Sequence, residues 1–157
     1  MPQPVTISTF RKSAGTYFSA VVHRHAPLAI QRGSEDLGLL LGGDEAWALL
    51  ADRSFSPQVM RGGSEGGVSV WLPEFSIYGQ GSNYAEAKQD LLDEVRVYVG
   101  EYLENSAEYL RAPNRAGHLP HIMKAYLADL RGQLDEVIFP PAPSPRIHAA
   151  AVAAARQ

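Results

Sequence analysis

The stretch from Val5 to Leu50 constrains this chain most. VTIS, FRKSAGTYFSAVV, PLAIQR, LGLLL and DEAWALL read in order as a short strand, a helix, a β-hairpin and a second short helix. Val5 and Ile7 alternate with Thr6 and Ser8, as in a half-buried strand. Ser8 or Thr9 is placed to cap a helix whose apolar face is Phe10, Ala14, Phe18 and Val22, with Tyr17 and Val21 beside them. Gly15 is a candidate break in it, and Pro27 stops it near His23–His25. The two apolar runs PLAIQR and LGLLL flank a Gly-containing turn, and Asp44 can cap a helix carrying Ala46, Trp47, Leu49 and Leu50. A unit of about 50 residues buries little surface alone, so the pattern calls for pairing with a second copy.

Charge divides the chain in a similar way. Residues 1–34 carry Arg11, Lys12, Arg24 and Arg32 and no acidic side chain, whereas residues 83–136 carry ten acidic and six basic ones. The net charge is −3, so any basic surface is local. A local basic surface on an acidic chain points to a phosphate-bearing partner, and to binding that weakens steeply with salt. Arg11 and Lys12 read as lying in the first turns of a helix, where backbone N–H groups also favour phosphate. A merely solvated basic face fits the same four residues. The chain has no cysteine, which excludes disulfides and thiolate metal sites. No apolar run approaches the ~18 residues of a membrane span, and the N-terminal MPQPVTIS has no leader pattern, so a cytoplasmic protein with no membrane contact is expected.

The second half reads as α+β. Residues 53–67, rich in Gly, Ser and Pro, form a linker or arm. VSVWLPEF alternates as a strand ended by proline, and SIYGQG is a second short strand with a glycine turn. Asn83 and Glu86 form an N-x-x-E capping box that opens the clearest helix. Its apolar face is Ala87, Leu91, Leu92, Val95, Tyr98, Val99 and Tyr102–Leu103. Asn105–Gly117 reads as a loop, about 119–133 as a further helix, VIF as a last strand, and 140–157 as a Pro/Ala-rich tail, stiff at first and then helical or frayed. Trp71 falls on the polar register of its strand, open to service as a partner anchor or to burial against the linker.

The order VTIS–FRKSAGTYFSAVV, PLAIQRG, LGLLL and DEAWALL, over about residues 4–52, resembles the N-terminal domain of the Phd/YefM antitoxins. That resemblance implies a homodimer, or a higher homo-oligomer, that docks on operator DNA and represses its own operon. It implies DNA contacts at Thr9, Arg11, Lys12 and Ser13, with Arg32 near the hairpin turn; Glu35 and Asp36 depart from the family pattern and would repel phosphate. VSVWLPEFSIYGQGSNYAEAKQDLLDEVRVYVGEYL, within about residues 66–105, is similar to the HicB antitoxin core, a partial RNase H-like sheet-and-helix module without a working active site. The PEFSI stretch departs from that family's usual loop.

Together these readings give a Phd-like dimerisation and DNA-binding domain (1–52), a linker or arm (53–67), a HicB-like toxin-binding domain (68–139) and a tail (140–157). The expected function is that of a type II antitoxin: not an enzyme, without cofactor or metal, binding a cognate toxin and operator DNA. Trp71, Phe75 and Tyr126 are the expected toxin-binding residues. Two alternatives stand beside it. One is a stand-alone DNA-binding transcriptional regulator. The other is a small RNase H-related nuclease using Glu74, Asp90, Asp93 and Glu94, although three of these lie on one helix rather than converging on a metal pair. His118 and His121 have helical spacing for a metal but no evident third ligand.

Overall fold

The computed structural model describes residues 2–62 and 66–141. Two three-stranded sheets organise it, one in each half of the chain. In the first, β1 (Val5–Thr6) pairs parallel with β2 (Leu28–Arg32), and β2 pairs antiparallel with β3 (Asp36–Leu40). The crossover from β1 to β2 is helical but not one helix. It consists of α1 (Ile7–Lys12) and α2 (Ala14–His23), which part at Ser13 (φ −138°), two residues before the expected Gly15. The N-cap is Thr6 rather than Ser8 or Thr9. Its hydroxyl accepts from the Thr9 N–H at 3.2 Å, so the helix begins as soon as the two-residue strand ends. Gly33, at φ +65°, turns the β2–β3 hairpin, and α3 (Gly43–Leu49) follows.

In the second sheet β4 (Gln58–Arg61), β5 (Val68–Leu72) and β6 (Ile77–Gly81) form an antiparallel meander. The stretch expected to be only linker or arm thus supplies an edge strand, because Val59 and Met60 carry enough β-forming character to pair with Val70 and Ser69. Helix α4 (Tyr84–Glu104) lies across β5 and β6. Asn83 caps it by accepting the Glu86 N–H at 3.0 Å, and the Glu86 carboxylate accepts from the Ser82 N–H at 2.9 Å. Its approach to the sheet is close because Gly79 and Gly81 carry no side chain. A β-carbon at either would collide with the α4 backbone at Ala87.

Beyond α4 the chain is more helical than expected. The region read as a loop holds α5 (Ser106–Tyr109) and a 3-10 turn at Ala116–His118; α6 runs Leu119–Leu130. Residues 134–138, expected to end in a strand at VIF, form α7 (Leu134–Ile138). Among the described residues no strand pairs with VIF, and Leu134 and Ile138, i and i+4, are buried on one helical face instead. The expected alanine-rich helix or tail from residue 142 onward lies outside the described residues.

The core sits almost wholly in this second unit. Its sixteen buried apolar residues run from Phe55 to Ile138 and draw on β5, α4, α6 and α7. Before Phe55, Val21 is the single buried apolar side chain among the described residues.

Candidate functional site

Break and charge coincide at the junction of α1 and α2. Arg11 and Lys12 occupy the last turn of α1, not its first turns. The α1 dipole therefore stabilises these cations and does not itself attract phosphate. The helix start nearest them is that of α2, where Ser13, which is also the C-cap of α1, is the N-cap residue and makes no side-chain cap hydrogen bond. Thr9, Arg11, Lys12 and Ser13 are all exposed, with the two cations adjacent in sequence at the end of α1. Arg32 is placed differently. Its guanidinium donates to Asp36 at 2.8 and 3.0 Å, across the hairpin end, with both side chains exposed. Asp36 therefore occupies Arg32 as well as repelling phosphate.

Between α1 and the hairpin runs an open groove of about 690 Å³, lined by Ile7, Arg11, Ile30, Leu37 and Gly38, with Arg32, Glu35 and Asp36 at its end. Leu37 (70% exposed) and Leu39 (65%), two residues apart on β3, stand side by side on one face of the hairpin, opposite Gln31 and Ala29. Phe18, on α2, is 59% exposed. An apolar helix face and an apolar sheet face are thus both uncovered in one small unit.

The two units meet through α3 and α6. Trp47 of α3 lies under two cations of α6 and its C-cap, with Lys124 Nζ 5.6 Å and Arg131 Cζ 5.3 Å from its rings. Lys124 also donates to the carbonyls of Ala51 and Arg53, closing the end of α3. Burial pulls its ammonium below the usual lysine value, with Asp52 working against that shift. Arg131 donates to Asp44 at 2.8 Å.

The three residues expected to bind a toxin do not come together. Trp71 lies on the sheet face away from α4, stacked on Tyr78 at 6.1 Å. Tyr126 is on α6, 40% exposed, beside a small cleft between α4 and α6. Phe75 is 3% exposed and packs on Phe55, Tyr98 and His121, so it is a core residue and not a surface contact. Pro73 ends β5 as read from the sequence, and the turn that follows, with Phe75 N–H donating to the Leu72 carbonyl at 3.3 Å, leaves Phe75 in the core. Of the carboxylates weighed as a nuclease site, Asp90 accepts the Gln80 N–H at 2.7 Å and Asp93 pairs with Arg96 at 2.8 Å. Their partners are the chain itself.

A polar constellation that the sequence did not reveal surrounds His118. Its Nδ1 is 2.6 Å from the Tyr98 hydroxyl, and Arg115 lies over the rings of Tyr98 and Tyr109 at 5.3 and 5.0 Å. Burial lowers the His118 pKa, helped by the neighbouring charges of Arg115 and His121. His121 instead contacts the Ser54 carbonyl at 3.1 Å, so the two histidines serve different structural joints. Their partners come from other elements, and no spacing along the sequence announces them.

The fold is therefore of one kind: two small sheets, each served by helices, with basic surface in the first unit and the core in the second. A solved antitoxin part of a proposed toxin/antitoxin system from Syntrophomonas wolfei subsp. wolfei shares this fold, with a TM-score of 0.71 at 23% identity over 87% of this chain and 96% of that one. A family profile described as PHD-like, antitoxin of toxin–antitoxin, RelE/RelB, TA system, matches residues 1–139, and the chain belongs to that antitoxin family. No curated protein matches.

Proposed function

We propose that this chain neutralises a cognate toxin by direct binding through its second unit. In the same reading it represses its own operon as a homodimer that grips operator DNA with its first unit. The observation that carries this reading is the contrast in completeness. The first unit exposes Phe18, Leu37 and Leu39 next to an exposed basic junction, as a half-built dimer does; the second holds a closed core. Two copies would bring two Arg11–Lys12–Ser13 surfaces to one duplex, and the paired sites would read a palindromic operator. A Phd-like assignment for residues 1–52 is supported by the strand–helix–hairpin–helix order, and a HicB-like assignment for the second unit by the meander with α4 across it.

The expected partner contacts are Thr9, Arg11, Lys12 and Ser13 for DNA. Trp71 with Tyr78, and Tyr126, are the expected contacts for the toxin. The test is a double substitution, Arg11→Ala with Lys12→Ala. Operator affinity should fall and the slope of log affinity against log salt should shrink by about 2 per chain, one for each phosphate no longer neutralised. Co-purification with the protein encoded by the adjoining reading frame should be unchanged. Operator shifting by the wild type with no captured partner would favour a stand-alone regulator. Loss of both activities together would overturn the division of labour.

A further inference from the structure

The two edges of the second sheet differ. At the β6 edge the outward amide of Gln80 is held by Asp90 at 2.7 Å, and just past the strand Ser82 N–H is held by Glu86 at 2.9 Å. At the other edge β4 has no strand beyond it among the described residues, and all four of its residues are exposed. The direction of its backbone groups follows from the ladder. Gly62 N–H donates to the Gly67 carbonyl at 2.8 Å, and antiparallel pairs alternate, so Met60 and Gln58 also bond inward to β5. Val59 and Arg61 therefore point their N–H and C=O groups outward. Their side chains share the α4 side of the sheet, since Val59 opposes the buried Val70. There they wall an open groove of about 760 Å³ whose far side is Ser82, Asn83 and Tyr84.

We infer that β4 accepts an extended segment of the cognate toxin as a fourth strand, with an apolar side chain opposite Val59 and an acidic one opposite Arg61. Exposed edges of this kind are templates for strand addition, where main-chain bonds give affinity and alternate side chains give specificity. A second copy of this chain is a less favourable occupant, because each symmetric antiparallel register carries a cost. Centred on Val59, it sets Arg61 against Pro57, which has no N–H to give. Centred on Met60, it places the two Arg61 side chains on one face as diagonal neighbours; centred on Arg61, it sets them directly opposite. A foreign strand with an acidic residue removes both objections. The inference rests on the antitoxin reading above and adds where on the second unit the toxin sits.

The test is amide hydrogen exchange on the full chain, alone and with the protein encoded by the adjoining reading frame. Val59 and Arg61 amides should exchange freely in the isolated chain and become protected in the complex, while Gln58 and Met60, bonded in both, change little. In parallel, Val59→Pro, which removes one outward N–H, should weaken capture of that protein by about tenfold and leave operator binding intact. If the complex forms and the Val59 and Arg61 amides stay unprotected, the edge is not the contact and the antitoxin reading stands. If those amides are protected in the isolated chain, β4 pairs with itself and the inference fails. If no complex forms with the unaltered chain, the antitoxin reading fails and takes the edge with it.

Discussion

The two units of this chain have similar sheets and opposite degrees of completion. Both are three-stranded, yet the first buries a single apolar side chain among the described residues and the second buries sixteen. The difference lies in what covers each sheet. In the second, the glycines of β6 let α4 lie directly on the strands, and α6 and α7 close over it. In the first, α1 is only six residues long and ends at Ser13, and one face of β3 carries Leu37 and Leu39 into the open. An apolar sheet face left uncovered in the monomer is a candidate for burial by association. The second unit should therefore set the melting of the chain, and the first should report on association.

The largest effect expected from that contrast comes from paired substitutions. Leu91→Ala removes a fully buried side chain from the middle of α4 and should cost about 2–5 kcal/mol, seen as a large drop in the thermal midpoint. Leu39→Asp, on the exposed face of β3, should leave that midpoint nearly unchanged. Under the proposed homodimer it should instead shift the chain toward monomer in sedimentation. If Leu39→Asp lowers the midpoint as far as Leu91→Ala, the two units are not separable in this way.

A smaller effect sharpens the picture of the second unit. His118 is held neutral by burial, beside Tyr98 and Arg115, so its folded pKa lies below the ordinary 6.5. Between the two values the unfolded chain binds a proton that the folded chain refuses, so stability falls as pH drops through that window. His118→Gln should flatten the fall in thermal midpoint just below pH 6.5 while keeping a hydrogen-bond partner for Tyr98. Glu86, whose carboxyl is held below 4.5 by its hydrogen bonds from Ser82, adds its own loss only at lower pH and leaves the His118 window clear. An unchanged slope in His118→Gln would place the acid sensitivity elsewhere.

Legibility from sequence followed the range of the interactions. The capping box at Asn83 and Glu86, the apolar face of α4 and the β2–β3 hairpin were readable because each is written within a few residues. The split at Ser13 was not, because Gly15 is the weaker helix former of the two and only the folded junction shows where the chain turns. Residues 134–138 misled in the opposite direction. VIF is β-prone, but a strand needs a neighbour with free hydrogen-bonding groups, and packing against α6 rewards a helix instead. The same limit governs the site. Charge clustering singled out Arg11 and Lys12 as candidates, whereas the burial of Phe75 and the outward amides of β4 depend on which strand lies beside which. Sequence spacing carries no record of that.

The smallest expected effect tests the weakest member of the basic surface. Arg32 and Asp36 form an exposed pair at the end of the hairpin, of a kind that contributes roughly 0–1 kcal/mol to stability. Asp36→Asn should therefore barely move the thermal midpoint. It removes a carboxylate from the end of the groove and frees the guanidinium, so under the proposed DNA-binding role operator affinity should rise. The salt slope should steepen by about 1 per chain if Arg32 then takes a phosphate. An unchanged slope would confine the DNA surface to the α1–α2 junction, where Arg11 and Lys12 stand beside a helix start and no acidic residue follows in either helix. The hairpin would then belong to the proposed dimer contact alone, with its exposed leucines on β3 and its ion pair bridging β2 and β3.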